Sequence, residues 1–169
     1  LWADGYDKSV EVSDEDNTYP FAGYKDVLNT IYNEVLLTSK AEVLDIGFGT
    51  GILTTKLYEQ GCQIWGQDFS QKMIELAKAK IPEASLFQGD FTRGLIEELK
   101  QHTYDAIIAT YSLHHLTDDE KTIFLNSLMA LLKEGGKIII GDVAFLTRKD
   151  LEACKEASGE EWDDEEFYF

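Results

Sequence analysis

From Glu42 onward, short apolar runs alternate with longer stretches in which apolar residues recur every three or four positions. Runs of the first kind suit strands and repeats of the second suit helices, so their alternation predicts βαβ units on a parallel sheet. Five strands are expected, at Glu42–Ile46, Gln63–Asp68, Ala84–Gln88, Tyr104–Thr110 and Lys137–Gly141. Most are continuously apolar, as strands covered on both faces are. Crossover helices are expected over Gly51–Gln60, Gln71–Lys80 and Asp118–Lys133, and the stripe Tyr24, Val27, Leu28, Ile31, Val35 predicts a helix before the first strand. Ser70 is placed to N-cap the second crossover, and Thr117 with Glu120 forms a capping box for the last. Gly61, Gly135 and Gly136 fall just past expected helix ends, where a left-handed residue is common. The pattern predicts a doubly wound α/β fold with helices on both faces of a mostly parallel sheet. It reads as a single domain over 1–169, with an amino-terminal helical segment (1–40), a βαβ core (41–142) and an acidic carboxyl-terminal segment (143–169).

The most informative stretch is Val43-Leu44-Asp45-Ile46-Gly47-Phe48-Gly49-Thr50-Gly51, an apolar strand entering a glycine-rich turn that opens a helix. Glycines let backbone pass close to a ligand, and a helix N-terminus behind them offers N–H groups to a negatively polarised group. A glycine turn by itself is also an ordinary tight connection. Here, however, Asp68 ends the second strand where an acid can accept hydrogen bonds from both hydroxyls of a ribose. Asp90, in Gly89-Asp90-Phe91, ends the third strand, placed to accept from an adenine amino group with Phe91 against the ring. Three strand ends thus converge on one nucleoside. Dinucleotide binding would want G-x-G-x-x-G, but Ile52 stands where the third glycine would fall.

The segments Asp45-Ile-Gly47-Phe-Gly49-Thr-Gly51, Gly66-Gln-Asp68-Phe69-Ser70, Gly89-Asp90-Phe91, Tyr104-Asp105-Ala-Ile-Ile and Leu132-Lys-Glu-Gly135-Gly136-Lys-Ile138 occur in one order between Ala41 and Asp142. In that order and spacing they resemble class I S-adenosylmethionine-dependent methyltransferases, which have a Rossmann-like sheet. Within the family the chain looks most like small bacterial methyltransferases of undefined substrate, which share an element like Trp2…Tyr6-Asp7. The resemblance implies S-adenosyl-L-methionine as cofactor and S-adenosyl-L-homocysteine as product. It implies a cofactor site made of Tyr6, Asp45, Gly47, Gly49, Thr50, Gly51, Asp68, Phe69, Met73, Asp90, Phe91, Thr110 and His115. Asp45 would act indirectly near the methionine part, a role compatible with capping loop amides. Tyr6 would reach over the cofactor, unless it and Trp2 are only apolar anchors. The family domain continues through a further helix and an antiparallel strand pair, which this chain is expected to lack.

Methyl transfer from a sulfonium is an in-line displacement, so the enzyme contributes mainly by alignment and by handling any proton the acceptor loses. The acceptor should approach where Thr110-Tyr111-Ser112-Leu113-His114-His115-Leu116 leaves the fourth strand. That loop lacks the Asn/Asp-Pro-Pro-Tyr/Phe pattern of amide and exocyclic-amine methylation. Tyr111 and His115 are the candidate catalytic residues, with core packing as the alternative for Tyr111 and a structural hydrogen bond as the alternative for a histidine. A zinc site from His114 and His115 is not expected, because adjacent residues on a strand point apart. Asp142, just past the fifth strand, is a candidate for binding a polar or cationic acceptor or else a turn carboxylate.

Charge narrows the acceptor. With 32 acidic residues against 15 basic, the formal net charge is −17. Such a surface repels phosphate backbones and anionic lipid, and no basic patch offsets it, so neither nucleic acid nor membrane is an expected partner. The acids cluster near the two ends, as solvated segments do. No apolar run reaches the roughly 20 residues of a spanning helix. Cys62 and Cys154 stand alone, without metal-ligand spacing, and read as reduced thiols in a cytoplasmic protein. A small-molecule acceptor is the leading expectation, with a protein side chain or a noncatalytic cofactor-binding module as alternatives.

Overall fold

In the computed structural model, which describes residues 23–159 and 162–169, five strands lie in the order β3-β2-β1-β4-β5 and every neighbouring pair is parallel. They are β1 (Glu42–Ile46), β2 (Gln63–Asp68), β3 (Ser85–Gln88), β4 (Tyr104–Thr110) and β5 (Leu132–Gly141). The helices are α1 (Tyr24–Val35), α2 (Ile52–Glu59), α3 (Gln71–Lys80), α4 (Glu97–Lys100), α5 (Asp118–Met129) and α6 (Arg148–Ser158). Single 3-10 turns follow β3, at Phe91–Arg93, and β4, at Leu113–His115. Strand order reverses at β1, so the chains leaving β1 and β4 diverge and open a crevice at the carboxyl edge of the sheet. No helix among the described residues is long and apolar enough to cross a membrane.

Successive residues on a strand face opposite sides, and here both sides are covered. Val43, Ile64, Leu86, Ala106 and Ile108 form one core with residues of α1, α2 and α3. Leu44, Ile46, Ile107 and Ala109 form the other with Leu99, Phe124 and Leu128 of α4 and α5. This double burial is why the strands read as unbroken apolar runs. Close packing also sets two glycines. A Cβ at Gly66 would lie 2.7 Å from the Phe48 ring, and one at Gly141 would lie 2.4 Å from Val27 Cγ1 of α1.

Ser70 and Thr117 cap α3 and α5 as expected, Thr117 in a full capping box with Glu120. The boundary between α5 and β5 requires correction. The helix stops at Met129 and β5 begins at Leu132, whereas the sequence suggested a helix to Lys133 and a strand from Lys137. Apolar spacing through Phe124, Leu128 and Leu131 continues across the break, so periodicity alone overruns it. Tyr104 pairs with Leu132 but Ala106 pairs with Lys137, so the intervening residues of β5 bulge out of the ladder. Gly135 takes φ +76° within that bulge and not at a helix end. Lys133 anchors it through Glu42 at 2.7 Å and Asp105 at 3.0 Å. The acidic segment also holds α6, which no apolar stripe announced because none of its residues is buried. Thr147 caps it, its hydroxyl accepting from the Asp150 N–H.

Leu44 is fully buried between β2 and β4, whereas Ile123 on α5 is 71% exposed. Leu44→Ala should therefore destabilise the domain by about 2–5 kcal/mol, and Ile123→Ala by about 0.5 kcal/mol or less. Urea midpoints at unchanged slope measure both.

Candidate active site

Gly47, Gly49 and Gly51 take φ values of +69°, +55° and +75°, so alternate residues of the loop are left-handed, where a side chain strains the backbone. The loop is pinned by hydrogen bonds from Gly47 N–H to the Gln67 carbonyl at 2.8 Å and from Gly51 N–H to the Phe48 carbonyl at 3.0 Å. Gly49 N–H donates to Asp68 Oδ2 at 2.9 Å, while Asp68 Oδ1 accepts from Ser70 N–H at 2.9 Å. One carboxylate thus joins the glycine loop to the start of α3. Burial pushes the Asp68 pKa up, and the two backbone donors pull it back. The glycines differ in their surroundings. A Cβ at Gly47 would lie 2.6 Å from Ser112 Cβ, whereas none of the described protein atoms lies within 4 Å of that position at Gly49.

Asp45 is buried at the end of β1, and only one of its oxygens has a partner. Oδ2 accepts from the Thr54 hydroxyl at 2.6 Å, and Oδ1 has none among the described residues. Burial raises its pKa to about 7, opposed by the Thr54 hydrogen bond and reinforced by the charge of Asp68. Asp45 lies at the base of an open cleft walled by Gly47, Gly49 and Thr50 of the loop, Thr110 and Tyr111 at the end of β4, and Tyr24 and Leu28 of α1. A buried carboxyl with one unpaired oxygen is tolerated because it keeps its proton.

Residues 43–136 match the family described as methyltransferase domain. An uncharacterized methyltransferase of Anoxybacillus flavithermus is 41% identical over 152 residues, which cover 90% of this chain and 68% of that one. This chain belongs to the class I S-adenosylmethionine-dependent methyltransferases. Among solved structures, a TehB-like S-adenosylmethionine-dependent methyltransferase from Corynebacterium glutamicum superposes with a TM-score of 0.62 at 20% identity, over 91% of this chain and 81% of that one. The glycopeptide N-methyltransferase MtfA complexed with S-adenosyl-L-homocysteine gives 0.56 at 17% identity, over 70% and 51%. These two likenesses show a shared fold. The methyltransferase's cofactor is S-adenosyl-L-methionine, and the residues present fit it: an acid at the end of β2, a left-handed glycine loop with open space at Gly49, and a cleft beside it at the strand ends.

The structure brings Asp45, Gly47, Gly49, Thr50, Thr110 and Tyr111 to one cleft and ties Asp68 to its rim through Gly49. Gly51 stands at the start of α2, where a Cβ would lie 3.2 Å from Ala77 Cβ. Phe69 is 66% exposed beside Asp68. Met73 is half-buried in the first turn of α3, its N–H capped by Ser70. Asp90 caps the 3-10 turn, Oδ1 accepting from the Thr92 N–H and hydroxyl, with Oδ2 3.5 Å from Arg93 Nε. The Phe91 side chain is buried against Phe124, and its Cε1 lies 3.5 Å from the position a Cβ on Gly47 would take, so it packs beneath the glycine loop. Asp142 is the turn carboxylate. It is buried, and its oxygens accept from the N–H groups of Leu113, His114 and Val143 and bind His114 Nδ1 at 2.6 Å. Tyr6 lies outside the described residues.

His114 and His115 do not point apart, because the segment is a 3-10 turn and not a strand; their ring centroids are 4.5 Å apart. Partial burial and the neighbouring His114 lower the His115 pKa, while Glu166, Asp142 and Asp163 pull it up. Sequence reasoning missed Thr54, Ser112 and Gln67. Ser112 donates to the Ile46 carbonyl at 2.8 Å, and buried Gln67 holds the backbone of Gly94 and Ile96. Gln67 alone carried a signal, as a polar residue inside an apolar strand.

Because Asp45 holds its proton in the folded protein up to about pH 7 but releases it near pH 4 when unfolded, its contribution to stability falls as pH rises between those values. Without cofactor, Asp45→Asn should match the wild type in melting temperature near pH 4 and exceed it by several degrees at pH 8. A gap independent of pH would show that Asp45 is ionised throughout.

Proposed function

We propose that this methyltransferase transfers a methyl group to a small neutral or cationic molecule that enters beside Tyr111. The observation that carries the proposal is the cleft wall opposite Asp45, where the Tyr111 and Tyr24 rings lie 5.1 Å apart. Tyr111 is held at φ +50°, a strained value for a bulky residue, by its N–H bond to the Gly141 carbonyl at 2.7 Å. Strain maintained at a strand end that opens on a ligand crevice fixes where a side chain stands. In this reading Asp68 holds the ribose, Asp90 and Phe69 attend the adenine, and Asp45 acts indirectly near the methionine part. Thr50 and Met73 border the cofactor on the α2 and α3 sides.

S-adenosyl-L-methionine supplies, when bound, a methyl group on a positively charged sulfur. The chain supplies placement. The left-handed glycine loop and the buried acids hold the donor still, and Thr110 and Tyr111 shape the wall against which an acceptor is aligned. His115, on the turn that follows, is the group assigned to take a proton from acceptors that lose one. The net charge of −17 favours neutral and cationic acceptors over polyanions.

Turnover, read as S-adenosyl-L-homocysteine formed across panels of small amines, alcohols and thiols, tests the substrate class. Transfer confined to protein or nucleic acid would overturn it. Calorimetry with S-adenosyl-L-homocysteine should show Asp68→Ala weaker by at least about tenfold, as expected for lost hydrogen bonds to a charged group. Gly49→Ala should weaken binding while keeping the melting temperature within a few degrees, whereas Gly47→Ala, with its clash at Ser112, should lower both. Tyr111→Ala should reduce kcat by a larger factor than it reduces affinity for S-adenosyl-L-homocysteine.

A further inference from the structure

Beyond the cofactor cleft, the turn after β4 meets the carboxyl-terminal residues in a cluster of a different kind. His114, His115 and Glu166 each present one ligand-type atom, all within 4.8 Å of one another. His114 Nε2 lies 3.5 Å from Glu166 Oε1. Two ligands on one tetrahedral ion with bonds of 2.0–2.1 Å stand about 3.3 Å apart. The His114–Glu166 separation is already close to that value, and side-chain rotation of about 1 Å would complete the triad with His115.

Two of the three groups are held by partners placed behind them. Asp142, itself buried, binds His114 Nδ1 at 2.6 Å and leaves Nε2 directed at Glu166. The Tyr168 hydroxyl donates to Glu166 Oε2, leaving Oε1 for the shared space. A carboxylate behind a ligating imidazole and a hydrogen bond behind a ligating carboxylate are the supports that metal sites use to fix ligand orientation. The backbone delivers Glu166 to this point: Phe167 N–H donates to the His114 carbonyl at 2.7 Å, Lys121 binds the Phe167 carbonyl, and Phe169 pairs with Val143 and Phe145. We propose that His114, His115 and Glu166 form a binding site for a divalent transition-metal cation, of which zinc is the representative probe. Two imidazoles and one carboxylate select zinc-like cations over magnesium or calcium, which require mostly oxygen ligands. An imidazole nitrogen that ligates a cation cannot also take a proton, so occupancy would remove His115 from any part in proton transfer and fasten residues 166–169 to the β4 turn. The site itself rests on its own geometry and not on the acceptor assigned above.

The test uses the full chain, freed of metal by chelation, titrated with zinc against a chromophoric competitor and with cobalt(II) followed by absorption. One equivalent should bind at micromolar or lower concentration, with a cobalt spectrum free of thiolate charge transfer, since Cys62 and Cys154 take no part. Glu166→Gln and His115→Gln should each weaken binding by about tenfold or more, and Glu166→Gln should leave S-adenosyl-L-homocysteine affinity unchanged, which verifies its fold. No zinc binding in this range, a thiolate cobalt spectrum, or binding untouched by both substitutions would overturn the site. In the first case His114 is simply bridged between Asp142 and Glu166.

Discussion

Two carboxylates, Asp45 and Asp68, are buried at the carboxyl ends of adjacent strands, and the arrangement of that edge of the sheet follows from what each requires. A buried acid is tolerated when its oxygens are bonded or when it stays protonated. Asp68 takes the first course by accepting from Gly49 and Ser70, so its needs dictate both the path of the glycine loop and the start of α3. Asp45 takes the second, with only Thr54 as partner and a pKa lifted to about 7. The left-handed glycines serve the same constraint, because their backbone turns tightly enough to bring the Gly49 N–H to Asp68.

The other rim of the crevice is organised around a third carboxylate. Asp142 gathers Leu113, His114 and Val143, and so folds the segment after β4 into a 3-10 turn in place of an extended exit. That turn sets the two histidine rings edge to face and seats Ser112 against Gly47. The two rims are therefore coupled at Ser112, which donates to the Ile46 carbonyl and which a Cβ at Gly47 would strike. Placement of Tyr111 depends on the same network, as its N–H donates to the carbonyl of Gly141, one residue before Asp142.

Much of this was legible in the chain. Strands buried on both faces must be apolar in both phases, which is why β1 and β4 declared themselves as continuous runs. Left-handed turns require glycine, so Gly47, Gly49 and Gly51 announced the loop, and Asp68 announced the end of β2 by its spacing from it. Cap residues marked the starts of α3 and α5 because capping is a local hydrogen bond. What local chemistry governs, sequence determined: the five strands, the crossover helices, the doubly wound class, and the path of the glycine loop.

Tertiary structure alone decided the rest, because it depends on atoms distant in the chain. The bulge in β5 arises from pairing with β4, which overrode a helical apolar spacing that ran on past Met129. Phe91 packs against Phe124, a contact between residues 33 positions apart that no local pattern announces. Asp142 accepts from the backbone of Leu113 and His114, nearly thirty positions earlier, a partnership only the folded chain creates. The juxtaposition of His114 and His115 with Glu166 depends on residues 166–169 folding back across some fifty positions of sequence, and no periodicity or spacing encodes such a return.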